Sequence, residues 1–131
     1  MTAVLGFQHA GIVVRDLEGA LGFYRDVLGL AVLKQWRGEN TPVTIALLGP
    51  GDGCLELLSF DETTESSHLQ VNLREPGLRH IALQVDDLDT FYRRVSDAGL
   101  RILYPPRTGQ YFTRYFFCEA PEGVLIEFLE A

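Results

Sequence analysis

Displaced by 71 residues, the chain falls on itself at the positions that carry chemistry. His9 meets His80, Asp16 meets Asp87, Leu17 meets Leu88, Pro50 meets Pro121 and Glu56 meets Glu127. Leu55, Leu57 and Leu58 around the first Glu fall on Ile126, Phe128 and Leu129 around the second. With one residue deleted from the first copy, Gly29-Leu30 also falls on Gly99-Leu100. A period this long, present twice, does not suit a solenoid. It points to a duplicated module with a pseudo-twofold axis.

Each module reads with the same order of elements. His9 to Val14 is a short run rich in β-branched residues and predicts a strand. Asp16 has the position of an N-cap, and Leu17, Leu21, Tyr24 and Leu28 recur at helical spacing. Gly29 suits the left-handed position that ends a helix. In the second copy Asp87 is the cap, Phe91 and Val95 lie on the buried face and Gly99 is the stop. Three strands are predicted after each helix. The first module has them at 31–36, 43–48 and 54–58, and the second at 101–104, 114–118 and 124–129. The runs 48–53 and 120–123 are rich in Pro and Gly and read as hairpin turns.

The 131 residues suit a single domain. It divides into module one at 4–60, a polar linker at 61–76 and module two at 77–131. The linker is long enough for the modules to pair within one chain, or to be exchanged between the chains of a homodimer. A homodimer is the expected assembly. With 11 basic and 18 acidic residues the formal charge is −7. That disfavours nucleic acid and anionic membrane surfaces, which both need clustered Lys and Arg. The start of the chain carries no signal-peptide pattern and no apolar run is long enough to span a bilayer, so the expected location is cytoplasmic. Cys54 and Cys118 make no disulfide framework and read as semi-buried thiols.

Strand alternation brings four polar residues to one kind of face. Ala10, Ile12 and Val14 share a face that packs on a helix, so His9 points the other way. Ile81, Leu83 and Val85 do the same for His80. Leu55 and Leu57 bracket Glu56, and Ile126 and Phe128 bracket Glu127. If the eight strands curve into a cup, all four line its inside. A carboxylate flanked by apolar residues on a buried strand is costly unless paired or bound to metal. Two such carboxylates, in phase with two histidines, suit one divalent ion per site. Zinc, nickel, cobalt, iron or manganese would accept that donor set.

The stretch from His9 to Leu30, HAGIVVRDLEGALGFYRDVLGL, resembles the opening of vicinal-oxygen-chelate proteins. That superfamily includes glyoxalases, bleomycin resistance proteins and extradiol dioxygenases. Gly77 to Leu88 resembles the start of its second module, and Pro121 to Glu127 its closing hairpin. The resemblance implies an α+β fold of two tandem βαβββ modules, forming an eight-stranded incomplete barrel, or cup, with the helices outside. It also implies that His9, Glu56, His80 and Glu127 are the metal ligands. Particular residues resemble those of two members of the superfamily. The His, His, Glu, Glu set matches glyoxalase I, but that enzyme has an Arg four residues after its first ligand, where this chain has Val13. The pattern His9-Ala-Gly-Ile-Val-Val14 is similar to methylmalonyl-CoA epimerase, which has Gln at the place of Glu56.

The chemistry common to those two enzymes is proton transfer at a carbon next to a carbonyl, with a metal as Lewis acid and a carboxylate as base. Glu127 and Glu56 are the catalytic candidates, and Glu39 is a further acidic residue near the first module's strands. The expected activity is therefore that of an isomerase or lyase on a small-molecule substrate not linked to glutathione, as Val13 suggests. Arg107, Tyr111 and Arg114, with Gln110, are expected in a loop over the cup mouth, where they would hold an anionic or planar substrate. Two other classes share the superfamily fold. One is an Fe(II) extradiol-type dioxygenase, which lacks a ligand at the place of Glu56. The other is a metal-free drug-binding resistance protein, which lacks the ligand set.

Overall fold

The computed structural model describes residues 2, 4–51, 53–62, 76–109 and 114–130. Gln110, Tyr111 and most of the 61–76 linker lie outside them. The chain divides into two compact units, Met1–Thr64 and Glu65–Ala131.

Unit one runs β1 (His9–Val13), α1 (Leu17–Leu21), a π-helical turn (Gly22–Val27), β2 (Ala31–Arg37), β3 (Val43–Gly49) and β4 (Cys54–Phe60). Its sheet has the order β1-β4-β3-β2, with β1 parallel to β4 and the other pairs antiparallel. Unit two repeats the plan with β5 (His80–Gln84), α2 (Leu88–Asp97), β6 (Arg101–Thr108), β7 (Arg114–Glu119) and β8 (Leu125–Glu130). Its order is β5-β8-β7-β6, again with one parallel pair. Each unit is thus the βαβββ module that the repeat predicts, and the fold class is α+β.

The caps explain where the helices begin. Asp16 accepts the Gly19 amide at 3.1 Å and Asp87 accepts the Thr90 amide at 3.0 Å, which satisfies donors that the first turn leaves open. The Thr90 hydroxyl also donates to Asp87 at 2.7 Å, and these two bonds hold the Asp87 carboxyl below its ordinary range. Glu130, at the end of β8, accepts the Leu88 amide at 2.8 Å and so ties the last strand to the start of α2. Gly29 and Gly99 both have φ of 80°, the left-handed value that ends each helix.

The first helix is not uniform. The first copy has one residue more between its cap and its Gly stop than the second. The structure accommodates it as the wide turn at Gly22–Val27, where the Leu28 amide reaches back five residues to the Phe23 carbonyl. Phe23, Tyr24 and Leu28 remain buried across that turn.

Helix and sheet meet through one face of each sheet. In unit one Leu17, Leu21 and Tyr24 are buried together with Ile12, Ala46, Leu48 and Leu57. In unit two Leu88 and Val95 are buried with Phe116, Ile126 and Phe128, and Phe116 stacks on Phe128 with ring centroids 4.9 Å apart. Because Phe128 is wholly buried in this layer, Phe128→Ala is expected to destabilise unit two by about 3–5 kcal/mol. Urea unfolding followed by circular dichroism measures it, and a loss below about 1 kcal/mol would contradict the packing described.

Candidate functional site

The face of each sheet that the helix does not cover carries the His and Glu residues. In unit one Gly11 lies beside Glu56 across the parallel β1–β4 pair, and alternation puts His9 on the same side. His9 Nε2 is 3.9 Å from Glu56 Oε2. Its Nδ1 meets the Gln8 side-chain oxygen. With Nδ1 donating there, Nε2 turns a lone pair towards a carboxylate oxygen, and two electron-pair donors in that position call for a cation between them.

Unit two repeats the arrangement more tightly. Ala82 lies beside Glu127 across β5–β8, and His80 Nε2 is 3.1 Å from Glu127 Oε2. Glu127 is only 6 % exposed, and its Oε1 is buried with no hydrogen-bond partner among the described residues. An orphaned carboxylate oxygen in such a place is costly unless a ligand completes it. Imidazole nitrogens and carboxylate oxygens bind a divalent ion at about 2.0–2.2 Å, so separations of this size are ones that a shared ion spans. Each unit offers two such donors, and among the described residues no group of three His, Cys, Asp or Glu is gathered for a metal.

Beyond this pair the open face of unit two is aromatic. Phe117 pairs with Glu127 across β7–β8, and its ring meets the His80 ring edge-on at 5.0 Å. Tyr104 lies 5.8 Å from Phe117 and 5.9 Å from Tyr115, edge-on to both. The Arg107 guanidinium stacks 3.5 Å from the centre of the Tyr104 ring. Burial, followed by the hydrogen bond with Tyr115, pushes the Tyr104 hydroxyl up to about 12, so it stays protonated at neutral pH. A shallow depression of about 370 Å³ opens beside this patch, lined by Gly77, Leu78, Arg79, His80 and Phe117.

The expected loop over Tyr104-Pro-Pro106 is instead strand. β6 continues to Thr108, and it does so because it is an edge strand, where a proline costs no ladder bond. Irregular pairing on both sides of Tyr104 lets the strand pass the two prolines and returns Arg107 to register opposite Tyr115. Arg107 therefore lies on the same sheet face as Glu127. Arg114 is placed elsewhere. It pairs with Asp89 of α2 at 2.8 and 3.0 Å, on the helix side of the sheet. Tyr111 is outside the described residues. Tyr104, Tyr115 and Phe117 were not singled out from the sequence, although their alternation along β6 and β7 was the available signal.

Other groups fall into structural roles. Arg37 forms two bonds to Asp61, at 2.7 and 2.6 Å, and Glu39 sits in the exposed turn after β2. Lys34 lies 4.8 Å over the Trp36 ring on the Glu56 side of unit one. Cys54 shares that side and donates to the Gly51 carbonyl at 2.7 Å. Cys118 lies on the helix side, buried, and that burial pushes its thiol up to about 12.

A family model for the glyoxalase/bleomycin resistance protein/dioxygenase superfamily matches residues 6–128. The chain belongs to this superfamily. Within it, the chain is 32% identical to a lactoylglutathione lyase of Haemophilus influenzae, over 93% of this chain and 90% of that protein. It is 27% identical to the mitochondrial methylmalonyl-CoA epimerase of Mus musculus, over 95% of this chain and 72% of that one. The fold is similar to that of a glyoxalase family protein from Bacillus cereus, with a TM-score of 0.84 at 22% identity, over 98% of this chain and 95% of that one. No helix among the described residues is long and apolar enough to cross a membrane.

Cys118, wholly buried on the helix side, is placed to be inert. With its thiol pushed to about 12, it carries almost no thiolate at pH 8. In a Cys54→Ser variant, Ellman's reagent at pH 8 is expected to find no reactive thiol until denaturant is added. Rapid reaction in the folded protein would contradict the burial.

Proposed function

We propose that the protein is a divalent-metal-dependent isomerase or lyase. It would act by proton transfer at a carbon next to a carbonyl, with His9, Glu56, His80 and Glu127 as the ligands of one ion per site. The observation that carries this reading is Glu127, a nearly buried carboxylate beside His80 with one oxygen that has no partner among the described residues. The recurrence of the same His and Glu positions in unit one supports it, as does the likeness to a lactoylglutathione lyase and to an epimerase.

The ion, when bound, supplies positive charge beside the substrate's carbonyl oxygen and so makes the neighbouring carbon acidic. The protein's own groups do the rest. The carboxylate of Glu127 is the base, because among the described residues its Oε1 has no partner and is left to take the proton, while Oε2 faces His80. Glu56 is the more open of the two, with 24 % of its side chain exposed, and is the second candidate for that role. Flanking Phe117 excludes water from the Glu127 side.

The native substrate is read as one not linked to glutathione. Val13 stands on the His9 side of β1, four residues after His9, where glyoxalase I has an Arg for the glutathione carboxylate. A homodimer and a cytoplasmic setting belong to the same reading.

Three outcomes are expected. Gently purified protein carries close to one divalent ion per site by elemental analysis, and His80→Ala loses it; full retention in both His9→Ala and His80→Ala would sink the metal assignment. Across a panel of 2-oxo compounds and acyl thioesters in deuterated water, the substrate exchanges its α-proton, and Glu127→Gln slows that exchange by about 10²-fold or more while an unreactive analogue still binds. Conversion of the methylglyoxal hemithioacetal of glutathione stays below the common enzyme range of about 10⁴ M⁻¹s⁻¹ in kcat/KM. A value above it would reverse the reading of Val13.

A further inference from the structure

Arg107 is held differently from four other arginines of the described residues. Arg25, Arg37, Arg101 and Arg114 each pair with an Asp or Glu at 2.6–2.9 Å. Arg107 pairs with no carboxylate among the described residues, in a chain with 18 acidic side chains to choose from. Among the described residues it is held by its face, against the Tyr104 ring. A stacked guanidinium uses its π-face and leaves the in-plane N–H groups available, and those are the groups that take a carboxylate in bidentate fashion.

The platform beneath it is fixed. Tyr104 is hydrogen-bonded to Tyr115 and packed edge-on to Phe117, and Phe117 is packed edge-on to His80. An unbroken series of rings therefore joins Arg107 to the His80–Glu127 pair on one face of one sheet. A ligand lying along that face would meet aromatic surface through its middle and a cation at its far end.

We propose that Arg107, Tyr104, Tyr115 and Phe117 form an acid-binding subsite that selects substrates with a planar, aromatic or conjugated body and a terminal carboxylate. This rests on the reading that His80 and Glu127 stand at the reacting end. Arg107 and Tyr104 hold and orient the far end of the substrate and take no part in the proton transfer.

The test compares cinnamate with cinnamyl alcohol, which share the planar body and differ in the carboxylate. Binding is titrated by ligand-observed NMR with the full chain, both stripped of metal by EDTA and loaded with Zn²⁺ or Ni²⁺. Wild type is expected to prefer cinnamate by about tenfold or more, the size of one charge-assisted pair. Arg107→Met is expected to remove the preference, Arg107→Lys to keep part of it, and Tyr104→Leu to weaken both ligands. Equal affinity of wild type for the two ligands, or a preference that survives Arg107→Met, would overturn the subsite. If the protein holds no metal and the Arg107-dependent preference persists, the subsite stands and the metal reading falls. If metal is held through His80 and the preference is missing, the subsite falls alone.

Discussion

In each unit the first strand runs parallel to the last, and the two are neighbours although most of the module separates them in sequence. Parallel neighbours keep their side chains in step, so residues placed opposite each other point to the same face. That pairing puts Gly11 beside Glu56 and Ala82 beside Glu127. The residue next to each carboxylate is therefore small, and the histidine two positions earlier reaches across the space it leaves. A slip of one residue in either register would send the carboxylate into the helix-packed layer, among Leu57 and Ala46 or Phe128 and Phe116. The apolar residues bracketing each Glu resist that slip. The same alternation thus builds the core and aims the site.

This is also why the placement of the four candidate residues on the open sheet faces was legible from sequence. The repeat carried His and Glu in phase, and the bracketing Leu, Ile and Phe residues announced which way they would point. The four-strand modules, the two caps and the two glycine stops followed from ordinary local signals. The extent of β6 did not, because Pro105 and Pro106 look like the end of a strand. Whether a proline ends a strand depends on whether its missing N–H had a partner to lose, and only the sheet order shows β6 to be an edge. The sequence puts Arg107 in a loop over the cup mouth, and the structure places it in β6, cross-strand from Tyr115 on the same sheet face. Arg114, one residue before Tyr115 and so on the other face of the sheet, is committed to Asp89. Its partner lies 25 residues away on a helix, and spacing along the chain could not reveal it.

The two units keep the same plan with different chemistry around it. On the Glu56 side the strand before the hairpin presents a lysine over a tryptophan. On the Glu127 side the matching strand presents an arginine over a tyrosine, and adds a second tyrosine and a phenylalanine. The more buried carboxylate, the shorter His–Glu separation and the richer aromatic surface all belong to unit two. The two units hold equivalent positions, and their different neighbours leave the carboxylate of unit two the better shielded one.

The wide turn at Gly22–Val27 shows how the first copy took up an extra residue. One residue added to a regular helix advances everything after it by about 100° around the axis. Leu28 would then swing from the sheet towards water. Looping the surplus into a single slack turn cancels that rotation, and Leu28 stays buried while Gly29 still meets its left-handed stop. The length difference between the copies is thereby confined to the helix, and its angular debt never reaches the strands that carry His9 and Glu56.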